Sequence, residues 1–288
     1  MPEGDTIYRS AAALRAALLG KPVRQFTAHR LVGHAPKVGA VTEWVESKGK
    51  HLEIGWDDGV VLHTHMRMTG SWHLYRHGEI WRKSPSQARV VIESDTWEAV
   101  CFNAPVVDTY RAEISQWHPG MGRLGPDLCR ADADLAVCVG RSARYCDPLR
   151  PLADVLLDQR VACGVGNVFK SEVLWACLVH PQTPVGALDS EQLMFLFAAA
   201  SRMLRNNIDI VNRVTYDRSP TGLAVYGRHN KPCLRCGDTI AVARHGEHAR
   251  ATFWCPGCQV RLGPPTVELP DAPRRSDRWF GPAATVGR

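Results

Sequence analysis

The sequence predicts an α+β multidomain chain: a leading helix on an antiparallel β-sandwich, then a helical region, then a small C-terminal β-hairpin organised by cysteines. Three observations carry this. Apolar residues keep a helical spacing at the N-terminus and then alternate with a period of two. Helical spacing returns in the middle of the chain. Two Cys-x-x-Cys pairs follow near the end.

The first helix is signalled by Asp5 as a capping residue and by Ile7, Ala11, Leu14 and Leu18 on one face. Gly20 stands where a left-handed cap ends a helix. Leu52, Ile54 and Trp56 then alternate with polar or small neighbours, and Asp57-Asp58-Gly59 reads as a turn. Val60-Val61-Leu62-His63 and Trp72-His73-Leu74-Tyr75 continue the pattern. Segments 89–93 and 98–102 flank a short turn at Asp95-Thr96. These are hairpin signals of a sandwich or barrel covering the first 115 residues or so. The glycine-rich stretch around His118-Pro119-Gly120-Met121-Gly122 reads as a linker. Segments 152–162, 168–178 and 190–205 carry helical spacing. After Gly263 the chain is rich in proline and poor in periodic apolar residues, as in a mobile tail. The expected boundaries are 1–118 for the β-sandwich, 119–225 for the helical domain, 226–263 for the cysteine hairpin and 264–288 for the tail.

Length and composition fit this plan. The chain has 288 residues, enough for several domains and a sizeable core. A hydrophobic content of 45% with 22% charged residues is ordinary for a globular protein and sets aside a disordered chain. The N-terminal residues show no basic run followed by an apolar stretch. No apolar segment approaches the ~18 residues a membrane span needs. A cytoplasmic protein is expected, nucleoid-associated in a bacterium. The net charge of +6 is compatible with a polyanionic partner without identifying one.

Cys233-x-x-Cys236 and Cys255-x-x-Cys258 are separated by 18 residues. Each such turn brings two thiolates to one side of a metal, and two turns complete a tetrahedral sulfur site for one structural Zn2+ ion. In a reducing compartment paired cysteines favour metal over disulfide. Four protein ligands saturate the ion, so no catalytic role is expected of it. Segments 239–242 and 251–254 supply the strands of a zinc ribbon or β-hairpin zinc finger. Arg244, His245, His248 and Arg250 make the hairpin basic, and Arg250 near its turn can reach phosphate. The other cysteines, Cys101, Cys129, Cys138, Cys146, Cys163 and Cys177, are expected to act as small core residues.

Met1-Pro2-Glu3-Gly4 carries a chemical possibility. Removal of Met1 leaves Pro2 as a secondary amine with an α-amine pKa of roughly 7.7–8, partly neutral at physiological pH. Attack on a sugar aldehyde carbon would give an iminium ion, which favours loss of phosphate at the β position. Glu3 could shuttle protons, and the following helix places positive potential nearby. Taken alone this start is a common one and decides nothing.

Three motifs in one order resemble the formamidopyrimidine-DNA glycosylase and endonuclease VIII family, over about residues 2–262. The first is Pro2-Glu3-Gly4 before a helix. The second is Leu156-Leu157-Asp158-Gln159 with Gly164-Val165-Gly166-Asn167, leading into Val168-Phe169-Lys170-Ser171-Glu172; it looks like the family's helix-two-turn-helix. The third is Tyr226-Gly227-Arg228 with the four-cysteine finger. The resemblance implies a bifunctional DNA glycosylase and abasic-site lyase of base-excision repair, acting by β/δ-elimination on double-stranded damaged DNA. Single-stranded or bubble DNA is a further candidate partner, and a monomer is expected. It implies catalytic roles for Pro2 as Schiff-base nucleophile, Glu3 as general acid, Lys50 in Ser47-Lys48-Gly49-Lys50 as the lysine before a strand, and Arg250 as a phosphate contact from the finger. Asn167 and Lys170 belong to the DNA-binding helix-two-turn-helix. Met68 in His65-Met66-Arg67-Met68-Thr69-Gly70 is the candidate wedge that fills the gap left by an extruded base, with a core methionine as the competing reading.

The sequence departs from one branch of that family. Where the formamidopyrimidine branch carries an Asp-Pro-Arg-Arg-Phe-Gly loop, this chain has Cys101-Phe102-Asn103-Ala104-Pro105-Val106-Val107-Asp108, without the Arg and Phe wedges. The segment Asp217-Arg218-Ser219-Pro220-Thr221-Gly222 is short for a lid over oxidised purines. With Gly4, these features are similar to the endonuclease VIII branch and imply oxidised pyrimidines as substrates. Thr6 stands where an acidic residue is frequent, so no carboxylate role carries over there. Two other readings remain: a non-catalytic zinc-finger binder of damaged DNA, and a lyase with little glycosylase activity.

Overall fold

The computed structural model describes residues 2–118, 121–245 and 249–260. The expected tail and His248 lie outside the described residues, as do Pro119 and Gly120 of the expected linker. The chain divides into two compact units between Leu124 and Gly125.

The first unit opens with helix α1 (Gly4–Leu18), and Ile7, Leu14 and Leu18 are buried as their spacing predicts. The capping position belongs to Glu3 rather than Asp5, which lies buried in the first turn. Gly20 has the expected positive φ of 69°. Eight strands follow: β1 (Gln25–Ala28), β2 (Thr42–Lys48), β3 (His51–Trp56), β4 (Val60–His65), β5 (Ser71–Arg76), β6 (Ala88–Glu93), β7 (Trp97–Phe102) and β8 (Val106–Arg111). They form two four-stranded sheets in the orders β1-β6-β7-β5 and β2-β3-β4-β8, with every ladder antiparallel. One apolar core joins the sheets and α1. It takes Leu52, Ile54 and Trp56 from β3, Val60 and Leu62 from β4, and Val90, Ile92, Ala99 and Cys101 from β6 and β7. Strand β4 differs from an ordinary half-exposed strand. His63 and Thr64 are buried along with Val60, Val61 and Leu62, so both faces of β4 are covered.

The second unit is helical, with α2 (Leu135–Tyr145), α3 (Leu152–Val155), α4 (Asn167–Ala176) and α5 (Ser190–Arg205), and a hairpin of β9 (Ala241–His245) and β10 (Arg250–Trp254). Asp134 caps α2, accepting from Val137 N at 3.1 Å. A reciprocal capping box fixes the start of α5: Gln192 N donates to Asp189 Oδ1 at 2.8 Å and Asp189 N to Gln192 Oε1 at 2.9 Å. The helix expected over 152–162 is shorter than its spacing implied. It stops at Val155, and successive turns carry the chain to α4. Helix α4 is central: all ten of its residues are buried, and it packs against α3, α5 and β10. The six scattered cysteines are buried except Cys177, which is half-buried.

Candidate active site and nucleic-acid interface

In the second unit the turn into α4 is assembled by side chains. Asp158 accepts from Arg160 N at 3.0 Å and pairs with Arg150 and Arg160, each at 2.7 Å. Burial alone would raise the pKa of its carboxyl, but the bonds from Arg160 and Arg150 outweigh burial and bring it down to about 2. Gln159 spans the loop, donating to Leu157 O and Val165 O and accepting from Gly164 N at 3.2 Å. Gly164 has φ 109°, a conformation that favours glycine. The chain thus reaches α4 with Gly166 in the capping position, and the helix presents its first N–H groups at that end.

Helix α4 is stitched to the hairpin. Asn167 Nδ2 donates to Ala251 O at 2.8 Å, and Lys170 Nζ donates to Thr252 Oγ1 and to Asn167 Oδ1, both at 2.7 Å. Lys170 was expected at the DNA surface. It is instead 1% exposed, because its side of α4 faces β10, and its ammonium orients Asn167 rather than facing solvent. Arg250, the next residue before Ala251, is exposed at the start of β10. The structure therefore brings Asn167, Lys170 and Arg250 together in one unit.

The four finger cysteines also converge. Their Sγ atoms all lie within 4.8 Å of one another, with Cys233–Cys258 at 3.8 Å and Cys236–Cys255 at 3.4 Å. Tetrahedral zinc with Zn–S bonds of about 2.3 Å needs sulfurs about 3.8 Å apart, so the set fits a metal ion. Burial opposes ionisation of Cys233, yet backbone N–H groups of Arg235 and Cys236 overcome it and bring the thiol down to about 7. The finger is anchored on the end of α4. Gln259 Nε2 donates to Val179 O at 2.8 Å, and Arg235 donates to Trp175 O while stacking over the Trp175 ring at 3.9 Å.

In the first unit Glu3 is fully buried immediately before α1, its carbonyl accepting from Thr6 N and Ile7 N, while Pro2 is half-buried. Helix α1 packs against β2 and β3. Lys50 sits in the hairpin that joins those strands, since Lys48 pairs with His51 and leaves Gly49 and Lys50 as a two-residue loop. Gly49 takes φ 59° at the first loop position, as a II′ turn requires. The two methionines of the β4–β5 loop separate cleanly. Met66 is buried and Met68 is 71% exposed, so Met68 is not a core residue. Gly70 is needed there, because a Cβ would lie 2.8 Å from Met66 Cα. Thr69 Oγ1 donates to Asn103 O at 3.2 Å, tying this loop to the β7–β8 connection. That connection has only residues 103–105 between the strands, with no room for a longer wedge loop.

The N-terminal domain model of formamidopyrimidine-DNA glycosylase matches residues 1–106, and the H2TH domain model of the same enzyme matches residues 124–218. A protein named probable endonuclease 8 2 from Streptomyces coelicolor is 37% identical over 269 residues, covering 92% of this chain and 96% of that protein. The chain belongs to the formamidopyrimidine-DNA glycosylase and endonuclease VIII family. A DNA-(apurinic or apyrimidinic site) lyase, Nei2, from Mycolicibacterium smegmatis is 38% identical over 268 residues, covering 90% of this chain and 99% of that one. Among solved structures, the Lactococcus lactis Fpg complex with DNA containing an abasic site has a TM-score of 0.75 at 19% identity, covering 90% of this chain and 100% of that one. At that identity the likeness is one of fold. Family membership thus accounts for the sandwich with its leading helix, the helix-two-turn-helix and the cysteine hairpin.

Two features escaped the sequence reading. Glu172, fully buried in α4, accepts from Ala224 N at 2.7 Å, Val225 N at 2.9 Å, Tyr226 N at 2.7 Å and the Thr215 hydroxyl. Burial pushes the pKa of its carboxyl up, against the pull of those four donors. It pins the segment 215–226, which closes on itself where Thr215 N and Tyr216 N both donate to Gly222 O. A carboxylate between the apolar residues Phe169, Val173 and Leu174 was the available signal. The second feature is a group of histidines on β3 and β4, beside Asp108 of β8. There burial, reinforced by neighbouring positive groups, drives His51 down to about 2 and His65 down to about 4.

Proposed function

We propose that this protein is a bifunctional DNA glycosylase and abasic-site lyase of base-excision repair, acting through the amine of Pro2, chiefly on oxidised pyrimidines. The observation that carries this reading is the N-terminus. A fully buried Glu3 is held rigidly at the head of α1 beside a half-buried Pro2, in a chain of this enzyme family.

The chemistry requires Met1 to be removed. The Pro2 nitrogen then bonds to the sugar C1′, the base leaves with its bonding electrons and a proton, and Glu3 protonates the ring oxygen as the ring opens. The iminium acidifies the adjacent carbon. Loss of that proton expels the 3′ phosphate, and a second elimination expels the 5′ phosphate. Hydrolysis of the imine releases the enzyme. Lys50, on its rigid two-residue loop, contacts phosphate near the lesion. Arg250 and Asn167 hold the backbone, Asn167 through its second amide hydrogen and the helix N-terminus. Met68 fills the space of the extruded base. Lys170 serves by orienting Asn167.

The metal held by the four cysteines is one Zn2+ ion, which fixes the hairpin that presents Arg250 and takes no part in the reaction. The short 103–105 connection and the closed 215–226 segment support pyrimidine lesions over purine lesions. The partner is duplex DNA, with single-stranded and bubble substrates also accepted, and the protein acts as a monomer in the cytoplasm.

Borohydride trapping tests the nucleophile. The chain should become covalently linked to an abasic-site duplex, and Pro2→Gly or an N-terminal tag should abolish most of that product. Efficient trapping with Pro2 blocked would defeat the assignment. Cleavage of duplexes bearing thymine glycol, dihydrouracil or 8-oxoguanine, with their single-stranded and bubble versions, tests the substrate class.

A further inference from the structure

Strands β3, β4 and β8 lie side by side in one sheet, and their register collects polar residues on one face. His51 pairs with His65, Glu53 with His63, and His63 with Asp108. The 3-10 turn at Ala112–Trp117 follows β8, and His118 comes back to the same place. Its Nε2 lies 3.0 Å from Asp108 Oδ1, and its ring centroid lies 4.6 Å from that of His63. His63 Nδ1 lies 3.2 Å from Asp108 Oδ1 and 3.3 Å from Oδ2. One ligand atom from each of His63, Asp108 and His118 falls within 4.8 Å of the others.

We propose that His63, Asp108 and His118 form a second divalent-metal site, of zinc class, separate from the cysteine finger. Zinc–nitrogen and zinc–oxygen bonds of about 2.0–2.1 Å set tetrahedral donors about 3.3 Å apart; the two imidazole nitrogens lie 3.2 and 3.0 Å from Asp108 Oδ1, and all three ligand atoms lie within 4.8 Å of one another. Two imidazoles and one carboxylate suit zinc and leave a fourth position for water. The next layer is also built. His51 Nδ1 lies 2.8 Å from His63 Nε2, so the far nitrogen of one ligand is engaged and its near nitrogen is directed at the carboxylate. Tyr110 packs its ring 4.7 Å from that of His118, and its hydroxyl donates to Glu53, so the Tyr110 hydroxyl is engaged beside the site. His63 is 1% exposed and Asp108 and His118 are only partly so, which sets the group apart from a cluster of fully exposed side chains. The metal would fasten the segment after β8 to β4, a function that lies beyond the lyase chemistry. The alternative is a plain hydrogen-bond chain in which His63 and His118 both donate to Asp108.

Metal stoichiometry separates the two. The full chain, with its finger loaded, is equilibrated with Zn2+, freed of excess ion and analysed by mass spectrometry for bound metal. Two zinc ions per chain are expected for the wild type and one for His118→Ala and for Asp108→Asn, the latter preserving the shape of the site. With Co2+, the second equivalent should add weak ligand-field absorption without a thiolate charge-transfer band. A wild-type chain that never exceeds one zinc, or variants that still bind two, would overturn the proposal. A second cobalt equivalent carrying thiolate charge transfer would do the same.

Discussion

Glu172 has no route to water, and its two oxygens serve four donors from one segment. Glutamine at this position keeps the volume but supplies a single accepting oxygen. Its amide hydrogens then meet backbone N–H groups. Glu172→Gln should therefore destabilise the protein by about 1–3 kcal/mol, the cost of leaving a buried donor unsatisfied. The urea midpoint reads this directly, and an unchanged midpoint would show that segment 215–226 is held by other means. Arg250 is the opposite kind of residue, an exposed cation beside a buried lattice of bonds. If it touches phosphate, Arg250→Ala should weaken DNA of every sequence alike and lower the slope of log affinity against log salt by about 1. A loss confined to one sequence would contradict a backbone contact. The family motif put Asn167, Lys170 and Arg250 on one expected surface, and the structure brings the three into one unit. The enclosure of Lys170 was not legible in the sequence, because it depends on Thr252, 82 residues away in the chain.

Among the elements, the strands that the alternation missed share a position. The inner strands β3, β4, β6 and β7 carry enough buried apolar residues to mark themselves. Strands β1, β2 and β8, which went unread, are all sheet edges; β5 is an edge as well, but Trp72 and Tyr75, both buried, kept it legible. An edge strand needs fewer apolar residues and more polar ones, so its period is diluted. The helix over 152–162 failed for another reason. Leu152, Val155 and Leu156 do face the core, but Asp158 captures Arg160 N and bends the chain out of helical register. That bend has a pH signature. The Asp158 carboxyl falls to about 2 in the folded chain, against an ordinary value near 4. A depressed carboxylate stabilises the fold above its unfolded pKa, and the contribution is lost as pH falls from about 4 to about 2, on the order of 1–2 kcal/mol. Asp158→Asn should therefore lower stability at pH 7 and lose less stability than the wild type across that acid window. Parallel urea titrations at the two pH values measure this, and equal acid losses in both proteins would refute it.

At the scale of the whole molecule, the cysteine hairpin belongs to the same compact unit as the helices. Composition marked a boundary near Tyr226, yet Gln259 on Val179, Arg235 on Trp175 and Lys170 on Thr252 bind the hairpin to α4. None of these pairings is visible in a local pattern, because each joins residues distant in sequence. On the proposed function, they make the metal a condition of the DNA interface rather than of the hairpin alone. A four-thiolate site supplies folding free energy to a hairpin too small to hold an apolar core of its own. Without the ion, β10 should lose its anchor, Asn167 and Lys170 their bonds to Ala251 and Thr252, and Arg250 its position. The first unit has its own core and keeps Pro2 and Glu3 in place. Stripping the finger metal should therefore reduce duplex affinity by about tenfold or more, while circular dichroism retains the β-sheet signal. Adding Zn2+ back should restore binding. The His118→Ala protein should behave in the same way, which assigns the loss to the cysteines. Full affinity in the stripped protein would mean that the bonds between α4 and β10 hold the hairpin without metal.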